Sequence, residues 1–249
     1  AGRRQPACCA GVFAMKTQPL PPEACGLSRP SHTSRPSRRR VLAAGLVSAL
    51  LAPLAACGRK APRAQPIAPG ATVLALGDSL TSGVGASPDA AYPAVLQRLT
   101  GWKVINGGVS GDTAAQALER LPALLQTHSP ALVIVSIGGN DFLRRQSASV
   151  TRTHVRQICE QARASGAQVL LVAVPELSLM AAAGRLSDHA MYEEIASALK
   201  IPLHSKGWAD VLASEHLRAD SVHANAAGYA QFVQGLAVTL KATGLLAKG

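Results

Sequence analysis

Residues 131–137 read ALVIVSI, and this stretch decides the fold class. Its centre, Leu132 to Val135, is apolar without interruption, which indicates a short strand that is buried on both faces. Strands of this kind occur in parallel sheets that carry helices on both sides. The next residues are Gly138-Gly139-Asn140-Asp141, so the chain turns abruptly from apolar to polar where the strand should end.

The same alternation of short apolar runs and longer helical patterns extends outward from this strand over the chain from residue 72 onward. Asp112 and Asn225 are predicted to cap the second and the last helix. Alternating strands and helices predict an α/β protein, a three-layer α/β/α sandwich with a five-stranded, mainly parallel sheet. The predicted strands are 72–76, 103–105, 131–137, 168–174 and 201–203, and the predicted helices are 91–99, 113–126, 149–165, 188–199 and 226–240.

Polar clusters stand where the first three strands end and just before the last helix. They read GDSL at 77–80, NGGVSGDT at 106–113, GGND at 138–141 and DSVH at 220–223. In an open parallel sheet the loops at the carboxyl ends of the strands lie at one edge, where functional groups gather. We therefore expect an active site at this edge.

The residue types in these clusters suit nucleophilic catalysis. A serine hydroxyl such as that of Ser79 needs a base to take its proton, and an imidazole such as that of His223 suits this task near neutral pH. Asp220 lies three residues before His223, so its carboxylate can reach the imidazole Nδ1–H and leave Nε2 for the serine. The negative oxygen of a tetrahedral intermediate needs fixed donors; Gly111 allows close backbone approach and Asn140 supplies an uncharged N–H.

Structural roles are predicted for the other prominent residues of the clusters. We expect Asp78 to be a turn or cap residue, Asp141 to give structural support, and Gly107 and Gly108 to serve turn geometry. Cys159 lies in a helical pattern and is predicted to be a small buried side chain. Surface or loop positions are expected for the remaining histidines of the body, which are His128, His154, His189, His204 and His216.

The four clusters in this order resemble the sequence blocks of the GDSL, or SGNH, hydrolases, in particular the bacterial lysophospholipase L1, thioesterase I and arylesterase branch. The resemblance covers residues 73–240 and implies a flavodoxin-like fold. It also implies that Ser79 is the nucleophile, His223 the general base and Asp220 the carboxylate that orients it. By the same resemblance, the oxyanion hole is formed by the backbone N–H groups of Ser79 and Gly111 with the side-chain amide of Asn140. One departure is Ala224, where the family usually has proline.

The resemblance implies a serine esterase that hydrolyses carboxylic esters through an acyl-enzyme on Ser79. Aryl, short-chain acyl and lysophospholipid esters and acyl thioesters are the candidate substrates, and no cofactor and no metal are expected. Two alternatives are an O-acetyl esterase acting on cell-envelope polysaccharide and a non-catalytic, flavodoxin-like binding lipoprotein. The segment 175–188, with Leu177, Leu179 and Met180, could accept an acyl chain or pack on the core. The α/β-hydrolase motif G-x-S-x-G is absent, because position 81 is threonine.

The formal charge of +11 does not indicate a nucleic-acid partner, because the first 60 residues carry most of it. They contain 10 Lys/Arg and one acidic residue, Glu23, whereas the rest of the chain contains 15 basic and 13 acidic residues. A surface that binds phosphate backbones needs its basic residues on the folded domain. We therefore expect no nucleic-acid partner.

Residues 1–56 are predicted to be a leader with an export signal. Arg38-Arg39-Arg40 precedes an apolar run, 41–56, that is shorter than the about 20 residues of a membrane span. The run ends in Leu54-Ala55-Ala56-Cys57, which resembles the lipobox of bacterial lipoproteins and implies that Cys57 is lipidated. A plain cleaved signal with an incidental cysteine is the alternative, and residues 37–42 also resemble a twin-arginine signal.

The chain after the leader is predicted to consist of two parts. Residues 57–70, rich in proline, are predicted to be a flexible tether, and residues 71–249 the hydrolase domain. We expect an exported protein on the periplasmic side of the bacterial envelope, attached to the membrane through Cys57.

Overall fold

A computed structural model of the chain describes residues 64–176 and 186–247. The leader predicted at 1–56, the lipidation site Cys57 and the apolar residues Leu177, Leu179 and Met180 lie outside the described residues, so those expectations stay predictions. In the described part of the chain, no helix is both long enough and apolar enough to cross a membrane.

Five parallel strands form a single sheet in the order β2-β1-β3-β4-β5. Thus the predicted five-stranded sheet is confirmed, and every pair of neighbours in it is parallel. The central strand β3 is buried at all five positions, as its uninterrupted apolar sequence requires. The strands are β1 Thr72–Gly77, β2 Lys103–Gly108, β3 Leu132–Ser136, β4 Gln168–Val172 and β5 Leu203–His204.

The helices cover the two faces of this sheet in two packed groups. One group consists of α3, α5 and α6, and the other of α2, α7 and α8. This arrangement is the predicted three-layer α/β/α sandwich. The helices are α1 Ser79–Ser82, α2 Tyr92–Thr100, α3 Ala114–His128, α4 Gly139–Leu143, α5 Ala148–Ala164, α6 Met191–Leu199, α7 Gly207–Ala213 and α8 Ala226–Thr243.

Aromatic packing fixes α7 and α8 beside the carboxyl end of β3. Trp208 of α7 stacks on Phe232 of α8, with ring centroids 3.7 Å apart, and both rings are buried. The indole N–H of Trp208 donates a 3.0 Å hydrogen bond to Ser136 Oγ, at the end of β3. Burying side chains of this size contributes about 1.5–3 kcal/mol each, so this edge of the sheet has a rigid support.

The predicted cap of the second helix is wrong, whereas that of the last helix is confirmed. Thr113, not Asp112, caps α3: its hydroxyl accepts from Gln116 N, and the Gln116 side chain accepts from Thr113 N. This reciprocal pair satisfies two backbone donors at once, and the Asp112 carboxylate instead binds Arg120. Asn225 caps α8 by accepting from Gly228 N.

Two boundaries differ from the sequence predictions, and three short helices were missed. The helix predicted from residue 188 begins only at Met191, because Asp188 forms an isolated bridge with Pro175. Residues 64–70, predicted as part of the tether, pack on the domain: Ile67 is buried, and its N–H donates to Leu245 O. The helices α1, α4 and α7 were not predicted, since they are too short to show a helical period.

Candidate active site

All four polar clusters lie at the carboxyl edge of the sheet, as predicted. Gly77 at the end of β1 pairs in register with Gly108 of β2 and with Ser136 of β3. The loops that follow these three strands therefore start side by side. The fourth cluster joins them from the segment before α8.

Ser79 is held at the start of α1 by a sharp turn after β1. Asp78 caps this helix by accepting from Leu80 N at 3.1 Å, which confirms its predicted cap role. The helix ends after one turn at Gly83, which has a left-handed conformation. Gly108 lies so close beneath α1 that a Cβ there would overlap the backbone nitrogen of Ser82. Close packing, more than turn geometry, accounts for glycine at this position.

Asp220, His223 and Ser79 form one continuous hydrogen-bonded series. Asp220 Oδ2 lies 2.7 Å from His223 Nδ1, and His223 Nε2 lies 3.0 Å from Ser79 Oγ. The second carboxylate oxygen, Oδ1, accepts from the backbone N–H groups of Val222 and His223, both at 2.8 Å. Since a carboxylate can only accept, the neutral ring carries its proton on Nδ1 and presents Nε2 as an acceptor to the serine hydroxyl.

The electrostatics of the two carboxylates near the imidazole differ. Partial burial raises the pKa of Asp220, but the hydrogen bonds from the His223 ring and from two backbone N–H groups outweigh it, and the pKa lies below its usual 3.8. Burial raises the pKa of Asp78 from 3.8 to about 7. Asp220 is therefore the carboxylate that stays ionised beside the imidazole.

Gly111 and Asn140, the predicted donors to a negative oxygen, line the same pocket as Ser79. Gly111 has a φ of +87°, a conformation that favours glycine. Asn140 Nδ2 donates one N–H to Asp112 O at 3.0 Å, which leaves its second N–H for another acceptor. Within the described residues, the backbone N–H groups of Ser79 and Gly111 donate no hydrogen bond. Uncommitted donors of this kind suit an oxyanion hole.

These side chains line a pocket of about 160 Å³. Its wall is partly apolar, which suits the non-polar part of an ester, and its polar groups are those already described. A depression of about 560 Å³ between α5 and α6 is larger but is lined by neither a serine nor a histidine. The lining residues of the smaller pocket are Asp78, Ser79, Leu80, Ser110, Gly111, Gly139, Asn140, Leu143, Val174, Pro175, Leu212, Val222 and His223.

Two side chains, Asp141 and Arg144, form hydrogen bonds that connect the loops of the site. Asp141 Oδ2 accepts from Ala114 N at 2.9 Å and Oδ1 accepts from Thr151 Oγ1 at 3.2 Å, which confirms its predicted structural role. Arg144 Nη2 donates to Gly111 O at 2.8 Å. Sequence reasoning did not single out Arg144; the signal was an arginine four residues after Asn140.

Two other sequence expectations have different outcomes. Cys159 is fully buried in α5, as predicted, and burial raises its thiol pKa to about 12. His204, expected at a surface or loop position, lies on β5 with only 4% of its surface exposed. No three His, Cys, Asp or Glu side chains in the described part of the chain are placed to hold a metal ion.

Comparison with known proteins agrees with this geometry. The model of the GDSL-like lipase/acylhydrolase family matches residues 75–231. The chain is 38% identical over 160 residues to the thioesterase 1/protease 1/lysophospholipase L1 of Escherichia coli K12, which covers 62% of this chain and 76% of that protein. It is 38% identical over 108 residues to the esterase TesA of Pseudomonas aeruginosa, covering 41% of this chain and 54% of that protein. A crystal structure of TesA superposes with a TM-score of 0.61 and 30% identity, covering 69% of this chain and 99% of that one.

Proposed function

The chain belongs to the GDSL-like lipase/acylhydrolase family and is a carboxylic ester hydrolase, and from that premise we propose that it works through an acyl-enzyme on Ser79. The observation that carries the proposal is the series Asp220–His223–Ser79, which ends with Ser79 Oγ 3.0 Å from His223 Nε2, beside the pocket. It also sets aside the alternative of a non-catalytic binding lipoprotein.

In the acylation step, His223 Nε2 takes the proton of Ser79 Oγ while this oxygen attacks the carbonyl carbon of the ester. The carbonyl π bond opens, and the resulting negative oxygen accepts from the N–H groups of Ser79, Gly111 and Asn140. When the tetrahedral intermediate collapses, the carbonyl π bond re-forms and the bond between the carbon and the leaving oxygen or sulfur breaks. His223 gives its proton to that leaving atom, which departs as an alcohol or a thiol. Asp220 stays ionised throughout and stabilises the imidazolium.

Deacylation repeats the same proton transfers with water. His223 takes a proton from a water molecule, whose oxygen attacks the acyl carbon. The Ser79–acyl bond then breaks, and the proton returns to Ser79 Oγ. The products are a carboxylic acid and the free enzyme, as in ping-pong acyl transfer to water.

The proposed substrates are aryl and short-chain acyl esters, lysophospholipid esters and acyl thioesters. The relatives support this range, since their names include thioesterase, lysophospholipase and esterase. A series of p-nitrophenyl esters of increasing chain length, with an acyl thioester and an acetylated polysaccharide in parallel, will order these classes. Preferential hydrolysis of the polysaccharide would favour the O-acetyl esterase alternative.

A fluorophosphonate probe tests the nucleophile directly. We expect wild type to be labelled and Ser79→Ala not to be. Ser110→Ala is the matched control, because Ser110 lines the same pocket but makes no hydrogen bond to His223 among the described residues. His223→Ala should lower kcat by at least about 100-fold. Labelling of Ser79→Ala at the wild-type level would overturn the mechanism.

We also propose that the chain is exported and attached to the membrane by a lipid on Cys57. The support is the basic Arg38-Arg39-Arg40 stretch followed by an apolar run that ends at this cysteine. Metabolic labelling with palmitate should mark wild type and fail to mark Cys57→Ser. Cys159→Ser, in the buried core, should keep the label. A label that survives Cys57→Ser would overturn the proposal.

A further inference from the structure

Arg120, on the second turn of α3, extends its side chain across the carboxyl ends of β1 and β2. All three of its guanidinium nitrogens are engaged. Nε binds Asp112 Oδ2 at 2.7 Å, Nη1 donates to Gly107 O at 2.7 Å and Nη2 donates to Gly77 O at 2.9 Å. The side chain is only 24% exposed.

The three acceptors lie in two neighbouring segments. One carries the proposed nucleophile and the other carries the proposed oxyanion donor Gly111. Gly77 is two residues before the nucleophile Ser79. Gly107 is the next-to-last residue of β2. Asp112 directly follows the proposed oxyanion donor Gly111. Arg120 therefore connects the nucleophile turn, 77–80, to the oxyanion loop, 106–113, while neither lining the pocket nor contacting the imidazole.

Two other side chains also hold the oxyanion loop. Arg144 binds Gly111 O at 2.8 Å, and Asn140 binds Asp112 O at 3.0 Å. Both of these partners come from the α4 region, whereas Arg120 joins the loop to β1, where Gly77 O also accepts from the backbone N–H of Val109 at 3.1 Å. Removing it would keep the contacts with the α4 region but would loosen the loop relative to Ser79, because the connection to β1 would then depend on backbone bonds such as that of Val109.

We propose that Arg120 is a positioning residue that sets the distance between Ser79 Oγ and the Gly111 N–H. This inference rests on the proposed function. The planar guanidinium can bind three acceptors in fixed directions, whereas a lysine ammonium is a compact charge that cannot span them. Displacement of reacting groups by about 1 Å can cost about 100-fold in rate. We therefore expect the three bonds of the guanidinium to affect kcat.

The test compares Arg120→Lys, which keeps the charge beside Asp112, with wild type. Arg156→Lys is the matched control, because Arg156 pairs with Glu160 on the exposed surface of α5. The rate on p-nitrophenyl acetate is divided by the concentration of Ser79 that a fluorophosphonate titrates, so that loss of folded protein does not count. Hydrogen exchange of the amides at 106–113 is measured in the same samples.

We expect kcat per titrated Ser79 to fall about 10- to 100-fold in Arg120→Lys, with KM within about threefold of wild type, because the pocket wall is unchanged. The pH midpoint of kcat/KM should stay in place, since Arg120 does not touch His223 or Asp220. The amides at 106–113 should exchange faster. Arg156→Lys should match wild type in every measurement.

A kcat per titrated site within twofold of wild type, or unchanged exchange at 106–113, would overturn the positioning role. An equal loss in Arg156→Lys would do the same. If wild type hydrolysed no ester, the acyl-enzyme proposal would fall, and the exchange rates would still decide whether Arg120 holds the two segments together.

Discussion

Replacing Asn140 by alanine separates the chemical role of its side chain from its structural role. The Nδ2 atom carries two N–H groups, of which one donates to Asp112 O at 3.0 Å. The other is left for the substrate oxygen in the pocket that Asn140 lines with Ser79 and Gly111. Loss of one oxyanion donor typically costs about 100- to 1000-fold in kcat, or about 2.7–4 kcal/mol. Loss of the bond to Asp112 should cost only about 0.5–1.5 kcal/mol of unfolding free energy.

The two effects appear in different measurements. With a p-nitrophenyl ester, kcat of Asn140→Ala should fall about 100- to 1000-fold, whereas KM should change little, because the donor acts on the intermediate more than on the bound ester. Urea unfolding should show a free-energy loss of about 1 kcal/mol. Most of the lost activity then cannot come from unfolded protein.

Asn106 offers a matched control for this substitution. Its side chain also hydrogen-bonds to the backbone, to Ser82 O and from Gly108 N, but it does not line the pocket. Asn106→Ala should lose similar stability and keep kcat within about tenfold of wild type. A fall of less than tenfold in Asn140→Ala, or an equal fall in both variants, would refute the assignment of Asn140 to the oxyanion hole.

Three further substitutions test the packing and the buried charges. Gly108→Ala would press a methyl group against Ser82 N, so α1 must move and kcat should fall about 100-fold; near-wild-type kinetics would contradict the close packing. Burial lowers the pKa of His204 from 6.5 to about 4, so its contribution to stability is present above pH 6.5 and is lost as the pH falls toward 4. Between pH 6.5 and 4.5, wild type should therefore lose about 2–3 kcal/mol more in urea unfolding than His204→Asn, which can keep the bond to Thr239; parallel pH profiles would argue against it. Asp78 has the opposite sign, because burial raises its pKa from 3.8 to about 7 and stability is lost as the pH rises between these values. Asp78→Asn should gain up to about 4 kcal/mol relative to wild type on going from pH 4 to pH 8, measured in the same way, and a constant difference between the two proteins would exclude a raised pKa.

The parts of the fold that were predictable depend on short stretches of sequence. The uninterrupted apolar run of β3 indicates a strand covered on both faces, and the alternation around it indicates a parallel sheet. Strand polarity then places Ser79 and Asn140 at one edge, where His223, 144 residues after Ser79, joins them from the segment before α8. The meeting of the Ser79 and Asn140 loops therefore follows from the direction of the strands, which a local pattern does reveal.

The contacts that fix the site could not be predicted in the same way. Aspartate is a common helix-capping residue, so Asp112 was a reasonable prediction. In the folded chain, however, its carboxylate binds Arg120, and Thr113 caps the helix. Arg120 also reaches Gly77, 43 residues earlier. Such partners depend on how two elements pack, and the local sequence of neither element encodes the pairing.

The burial of His204 was missed for a related reason. It lies on the two-residue strand β5, which is too short to show the alternation that would mark an inward position. Its ring packs edge-on against Phe232 of α8, 5.4 Å away. An imidazole at the end of such a short strand is ambiguous until its neighbours are known.

Strand polarity also relates the proposed lipid anchor to the pocket. Gln65 exchanges two hydrogen bonds with Gln168, the first residue of β4, so the chain joins the domain at the amino ends of the strands. Ser79 follows the carboxyl end of β1, about 20 Å away along six residues.

From Cys57 to Ala64 the chain can span at most about 25 Å. If Cys57 lies in the membrane, as we propose, we expect the amino edge of the sheet to lie nearer the lipid and the pocket to open away from it. Soluble esters should then reach Ser79 more readily than lipids of the anchoring membrane. In vesicles, Cys57→Ser should hydrolyse a lysophospholipid faster, relative to a soluble p-nitrophenyl ester, than the lipidated protein does. An equal ratio for the two proteins would mean that the anchor does not turn the pocket away from the membrane.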